Sequence, residues 1–142
     1  TGGHGGPPLQ YVARCEMKFA KVVFMVAGIY GLLVLLPQFF LEAKIGRDTP
    51  PPITHPEFFY GFICVAVAWQ VLFLVLSRDP VRYRPMMIPA MLEKIGFPIA
   101  VVILYLQGRL SPTIFAPAGA DLILFVLFAL SYRKTSEAAR RT

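Results

Sequence analysis

Charge is scarce in this chain, and so are the residue types that metal and redox chemistry need. Asp, Glu, Lys and Arg together make up 15% of the 142 residues, against about 25% in an ordinary soluble domain. No stretch between the apolar runs is long enough to fold alone, which excludes a separate soluble catalytic or nucleic-acid-binding domain. The two cysteines, Cys15 and Cys64, and the two histidines, His4 and His55, stand apart. With no CxxC, HxxxH or HExxH spacing, neither a disulfide nor a metal site is expected. No set of nucleophile, base and acid recurs at a catalytic spacing, so no catalytic residues are assigned. The net charge of +6 is not a nucleic-acid footprint, because the basic residues sit at the ends of hydrophobic segments, where they set membrane orientation.

What is abundant is apolar length. Hydrophobic residues make up 56% of the chain, gathered into four runs over residues 19–40, 58–77, 85–107 and 118–132. At about 1.5 Å per residue, a helix of roughly 20 residues crosses a bilayer core. The expected fold is all-α: an integral membrane four-helix up-down bundle over residues 17–135. Residues 1–16, rich in Gly and Pro, read as an irregular arm without the apolar core of a signal peptide, and Met17 has the form of an alternative translation start. Residues 136–142 read as a basic tail. Ten Lys and Arg lie on the side of the chain ends and the turn Arg78–Pro85, and three (Lys44, Arg47 and Arg109) lie on the other. The positive-inside rule therefore puts both termini in the cytosol.

The third run carries an acid and a base, Glu93 and Lys94, near its middle. Eight helical residues past Pro85 is about 12 Å, deep enough that an ionisable group must be paired, hydrated or neutral, and by default marks function. Pro89, Gly96 and Pro98 flank the pair, and a proline within a spanning helix frees a backbone carbonyl that something else must satisfy. Matching depths across the runs puts Gln70 and Tyr30 at the same level. Tyr30, Trp69, Gln70, Glu93 and Lys94 are therefore expected to form one polar layer that contacts a ligand. His55, Glu57, Tyr60, Arg109 and Asp121 are expected to form a second layer near the outer face, with Asp121 and Glu57 in the first turns of their helices, where negative charge suits the dipole. Three roles stay open for Glu93 and Lys94: fixing helix register, contacting a ligand, or moving a proton. As sequence neighbours they point about 100° apart on a helix, so no ion pair between them is required.

The segments GIYGLLVLLPQFFLEAKIGRD, PPITHPEFFYGF, AWQVLFLVLSRDPVRYRP and MLEK resemble a family of small four-span bacterial membrane proteins. That resemblance covers Met17 to about Thr135 and implies the bacterial inner membrane. More loosely, the layout is similar to DoxX-like proteins and to the sterol-isomerase and sigma-receptor-like group, which implies a lipophilic pocket and carries over no individual functional residue.

Two functions are expected from different classes. One is a non-catalytic accessory or stabilising subunit of a larger membrane assembly, with small-residue faces at Ala27, Gly28 and Gly31 offered to other membrane protein subunits. The other is a binder or enzyme for a lipophilic molecule, such as a quinone, a sterol-like lipid or a carotenoid, with Glu93 and Lys94 as the polar end of its pocket. Membrane lipids are partners in either case, and nucleic acid is not. A proton-coupled transporter is disfavoured, because no internal repeat offers the machinery of alternating access.

Overall fold

The computed structural model describes residues 9–141. Four of its helices are long and apolar enough to cross a membrane, over Arg14–Phe40, Pro56–Arg78, Arg84–Leu106 and Pro112–Ser136. The long helices are α1 (Leu9–Leu35, continued by a 3-10 turn to Phe40), α3 (Pro56–Arg78), α4 (Met87–Leu106) and α5 (Phe115–Arg141). A short helix, α2 (Glu42–Asp48), lies between α1 and α3. No strand occurs among the described residues.

Local sequence sets the helix ends. α3 starts at Pro56, a residue suited to the first helical position, with Glu57 in its first turn. It stops before Pro80, whose ring disfavours helical geometry at Asp79. The Asp79 carboxylate then accepts a hydrogen bond from the Arg82 backbone N–H at 3.1 Å and holds the turn into α4. α4 ends at Leu106, and Gly108 just beyond it has a φ of +70°, which suits a residue without Cβ. There Gly108 N–H donates to the Tyr105 carbonyl and Arg109 N–H to the Leu104 carbonyl, the paired bonds of a Schellman stop.

Three expected boundaries change. The irregular arm over residues 1–16 is helical from Leu9 onward, because no Gly or Pro follows Pro8 until well inside the span; residues 1–8 lie outside the described residues. The fourth span starts at Phe115 rather than at residue 118. It runs unbroken to Arg141 through the expected tail, whose last residue, Thr142, is outside the described part.

Neighbouring helices run in opposite directions. Gly28 and Gly31 of α1 face Leu74 and Gln70 of α3. Phe24 meets Phe128 of α5. Met87 meets Thr135 at the start of α4, and Tyr105 meets Phe115 at its end. The spans therefore pack in the order α3, α1, α5, α4, whereas α3 and α4 touch sparsely. All four contribute to one cluster built on Phe24, Phe73, Leu76, Met87, Ala90 and Phe128. Its ring centroids lie 4.4 Å apart for Phe24–Phe128 and 5.0 Å for Phe73–Phe128. Offset and edge-on pairs of this kind contribute about 0.5–1.5 kcal/mol each beyond burial.

This cluster occupies the half of the bundle next to the α3–α4 turn. In the other half, Leu35, Ile63 and Ala66 join only α1 to α3, so a space opens there between the α1/α3 pair and the α4/α5 pair.

Candidate functional site

Close contact between α1 and α3 sets one wall of that space. A Cβ on Gly28 would lie 2.8 Å from Leu74 side-chain atoms and 3.0 Å from the Gln70 carbonyl oxygen. A Cβ on Gly31 would overlap the Gln70 amide. The two glycines let the helices approach until Gln70, buried at the contact, lies across α1. Its Nε2 donates to the Ala66 carbonyl one turn back at 3.1 Å.

α4 and α5 supply the charges. Lys94 Nζ donates to Asp121 Oδ1 at 3.1 Å and to Glu93 Oε1 at 3.3 Å, and it lies 3.2 Å from Glu93 Oε2. Its side chain is only 7% exposed, against 21% for Glu93 and 22% for Asp121. The ammonium also sits 5.4 Å from the Phe73 ring centroid, at the top of the packed cluster. Charges this far from water are tolerated because each has an opposite partner at hydrogen-bond range. Pro98, one turn on, has no N–H, so the Lys94 carbonyl lacks its helical donor.

Above this charged floor is a cavity of about 480 Å³, within the range of small-molecule sites. Tyr30, Trp69, Gln70, Glu93 and Lys94 all line it, as does Asp121. Its walls are mainly apolar, with Leu35, Phe62, Val65 and Phe97 among them. Trp69 is the chain's single tryptophan. The floor presents polar and charged atoms to the cavity, and the walls present hydrocarbon. No group of three or more potential metal ligands occurs among the described residues.

The expected outer layer is not assembled. His55 Nδ1 lies 3.2 Å from Glu57 Oε1 in an exposed pair. Tyr60 instead donates to Glu42 of α2 at 2.7 Å, and stacks on Phe39 with ring centroids 6.2 Å apart. Arg109 is exposed beyond the end of α4. Asp121 lies six residues inside α5 rather than in its first turn, about 9 Å in, and belongs to the floor. Glu93 and Lys94 do form an ion pair, with Nζ 3.2 Å from Glu93 Oε2.

The sequence reading left out two residues that matter here: Glu42, whose helix α2 has no strong period, and Asp121 as the partner of Lys94. An acid on the fourth run deep enough to meet a buried lysine was the available signal for Asp121. No family model, curated protein or solved structure matches this chain, so the site rests on its own geometry.

Proposed function

We propose that the protein binds a lipophilic small molecule within the membrane, with the floor formed by Glu93, Lys94, Asp121 and Gln70 holding the polar end and the apolar walls holding the rest. The observation that carries this reading is the cavity of about 480 Å³, bounded by a charged floor and hydrocarbon walls. A bundle needing Glu93 and Lys94 only to fix helix register would gain by packing side chains over them, since each unfilled methyl-sized void costs about 1 kcal/mol.

The accessory-subunit expectation drew on the small residues of α1. Gly28 and Gly31 are taken up by α3 within the chain, which leaves the cavity as the better-supported basis for function. In this reading the chain sits in a bacterial inner membrane with both termini cytosolic, and the Arg78–Arg84 turn lies at the cytosolic surface. The cavity half then faces the outer leaflet.

The test is to purify the protein gently from its membranes and weigh the co-extracted lipophiles by mass spectrometry, beside an Ala120→Phe variant whose ring projects into the cavity. Loss of one defined species from the variant, with helical content and melting unchanged, is the expected result. Equal lipid content in both proteins would refute the proposal.

A further inference from the structure

We infer that the ligand is an amphiphile whose head donates hydrogen bonds to the Glu93 and Asp121 carboxylates, and whose hydrocarbon body leaves the protein sideways between α3 and α4 into the bilayer. This rests on the cavity-binding reading above and narrows it.

The head follows from an inventory of the floor. One ammonium faces two carboxylates, so with both ionised the three charges sum to −1. Each carboxylate has about four lone-pair positions, and Lys94 fills one on Glu93 Oε1 and one on Asp121 Oδ1. Glu93 Oε2 is buried and has only the same ammonium, 3.2 Å away, beside it. No other donor reaches either carboxylate among the described residues. The floor is therefore rich in acceptors, and a buried acceptor without a donor is costly. A proton would balance the charge, but it would not fill a cavity of this volume. A hydroxyl or ammonium head supplies the donor and also brings the hydrocarbon the walls require. An acceptor-only head, such as a quinone carbonyl or an ether, leaves the carboxylates as they are, and so does a bare hydrocarbon.

The sideways exit follows from helix packing. α1 packs along α3 and α5, and α5 along α4, whereas α3 and α4 come together mainly in the cluster beside their joining turn. Past Gln70 and Lys94 they separate. Phe62 and Val65 of α3 line the cavity and yet are each 61% exposed, and Phe97 lines it from α4 with 37% exposed. Residues of two helices that line a cavity and stay this exposed mark its open side, or rim. The rim is apolar and lies within the spans, so hydrocarbon can pass from cavity to bilayer without crossing a polar surface. The head is then selected closely, and the length of the body is not.

The test uses the full chain in lipid nanodiscs and the fluorescence of Trp69, which lines the cavity as the only tryptophan. The probes are dodecyl and octadecyl chains bearing an amine, an alcohol or a methyl ether, each titrated as a mole fraction of lipid. Amine and alcohol are expected to bind about tenfold more tightly than the ether, the worth of one charge-assisted hydrogen bond. Dodecyl and octadecyl members of each pair are expected to bind equally. Asp121→Asn should shrink the alcohol-to-ether ratio, a comparison made within one variant so that any loss of folded protein cancels. Ether binding equal to alcohol would overturn the head assignment, and weaker binding of the longer chains would overturn the open side. If no probe changes Trp69 fluorescence, the cavity-binding proposal itself fails.

Discussion

Gly31→Ala is the sharpest probe of how α1 positions Gln70. The added Cβ would lie 2.8 Å from Gln70 Cγ and closer still to the amide, so the glutamine must leave its rotamer or the helices must part. Overpacking of a well-packed contact costs typically about 1–3 kcal/mol, and because the overlapped atoms end a flexible side chain that can swing aside only by giving up its buried place, this case falls near the middle, about 2 kcal/mol. Alanine returns up to about 1 kcal/mol through helix propensity, so a net loss of about 1 kcal/mol is expected. Gly96, with no atom within 4 Å of its would-be Cβ, is the control. Gly96→Ala should be neutral or stabilising by up to about 1 kcal/mol. Gln70→Ala removes the obstructing side chain at the cost of one hydrogen bond within its own helix, and the double variant should recover most of the loss, a coupling of about 2 kcal/mol. Unfolding in mixed micelles, followed by far-ultraviolet circular dichroism against denaturing detergent, reads all four proteins. Equal stability of Gly31→Ala and Gly96→Ala, or additive losses in the double variant, would refute the close α1–α3 approach.

Other outcomes test the remaining parts. Lys94→Met leaves two carboxylates without their cation and should destabilise by about 3–5 kcal/mol, seen as an early melt in detergent; adding Glu93→Gln and Asp121→Asn should restore most of it, and a Lys94→Met protein that melts like the parent would contradict the ion-paired floor. Tyr60→Phe removes the bond to Glu42 and should cost about 0.5–1.5 kcal/mol, with faster amide exchange confined to α2; unchanged exchange there would show that Phe39 alone anchors the segment. In a Cys64→Ala background, a membrane-impermeant thiol reagent should label the exposed Cys15 in inverted vesicles and not in intact cells, and the reverse pattern would invert the orientation argued from Lys and Arg.

The four spans were legible in the sequence because bilayer thickness sets a length that apolar runs must meet, and Pro56, Pro80 and Gly108 punctuate them clearly. The level of the polar layer was legible too: counting residues inward from the basic turn, and from Lys21 for Tyr30, put Tyr30, Gln70, Glu93 and Lys94 at one depth, and all four line the cavity. Asp121 was not. The contacts Met87–Thr135 and Tyr105–Phe115 set a register between α4 and α5 that puts Lys94 opposite about Leu127, six residues or roughly 9 Å from Asp121. An extended lysine stem closes that gap, and residue counting, which treats every side chain as a point, has no term for it. α2 escaped for another reason. Seven residues carry too little periodicity to distinguish a helix from a loop, and Glu42–Asp48 is held by contacts such as Lys44–Asp48 and Tyr60–Glu42 rather than by an apolar stripe.

The confinement of the aromatic cluster to one half of the bundle has a consequence for how the chain tolerates change. Substitutions around Phe24, Phe73, Met87 and Phe128 act on folding and should be rejected almost whatever the cell requires. Beyond Gln70 and Lys94 few side chains are needed to keep the helices together, so Phe62, Val65, Phe97 and Pro117 are free to vary with little loss of stability. On the proposed reading, a lineage facing a new lipophile can reshape that end one residue at a time while the other end keeps the protein folded.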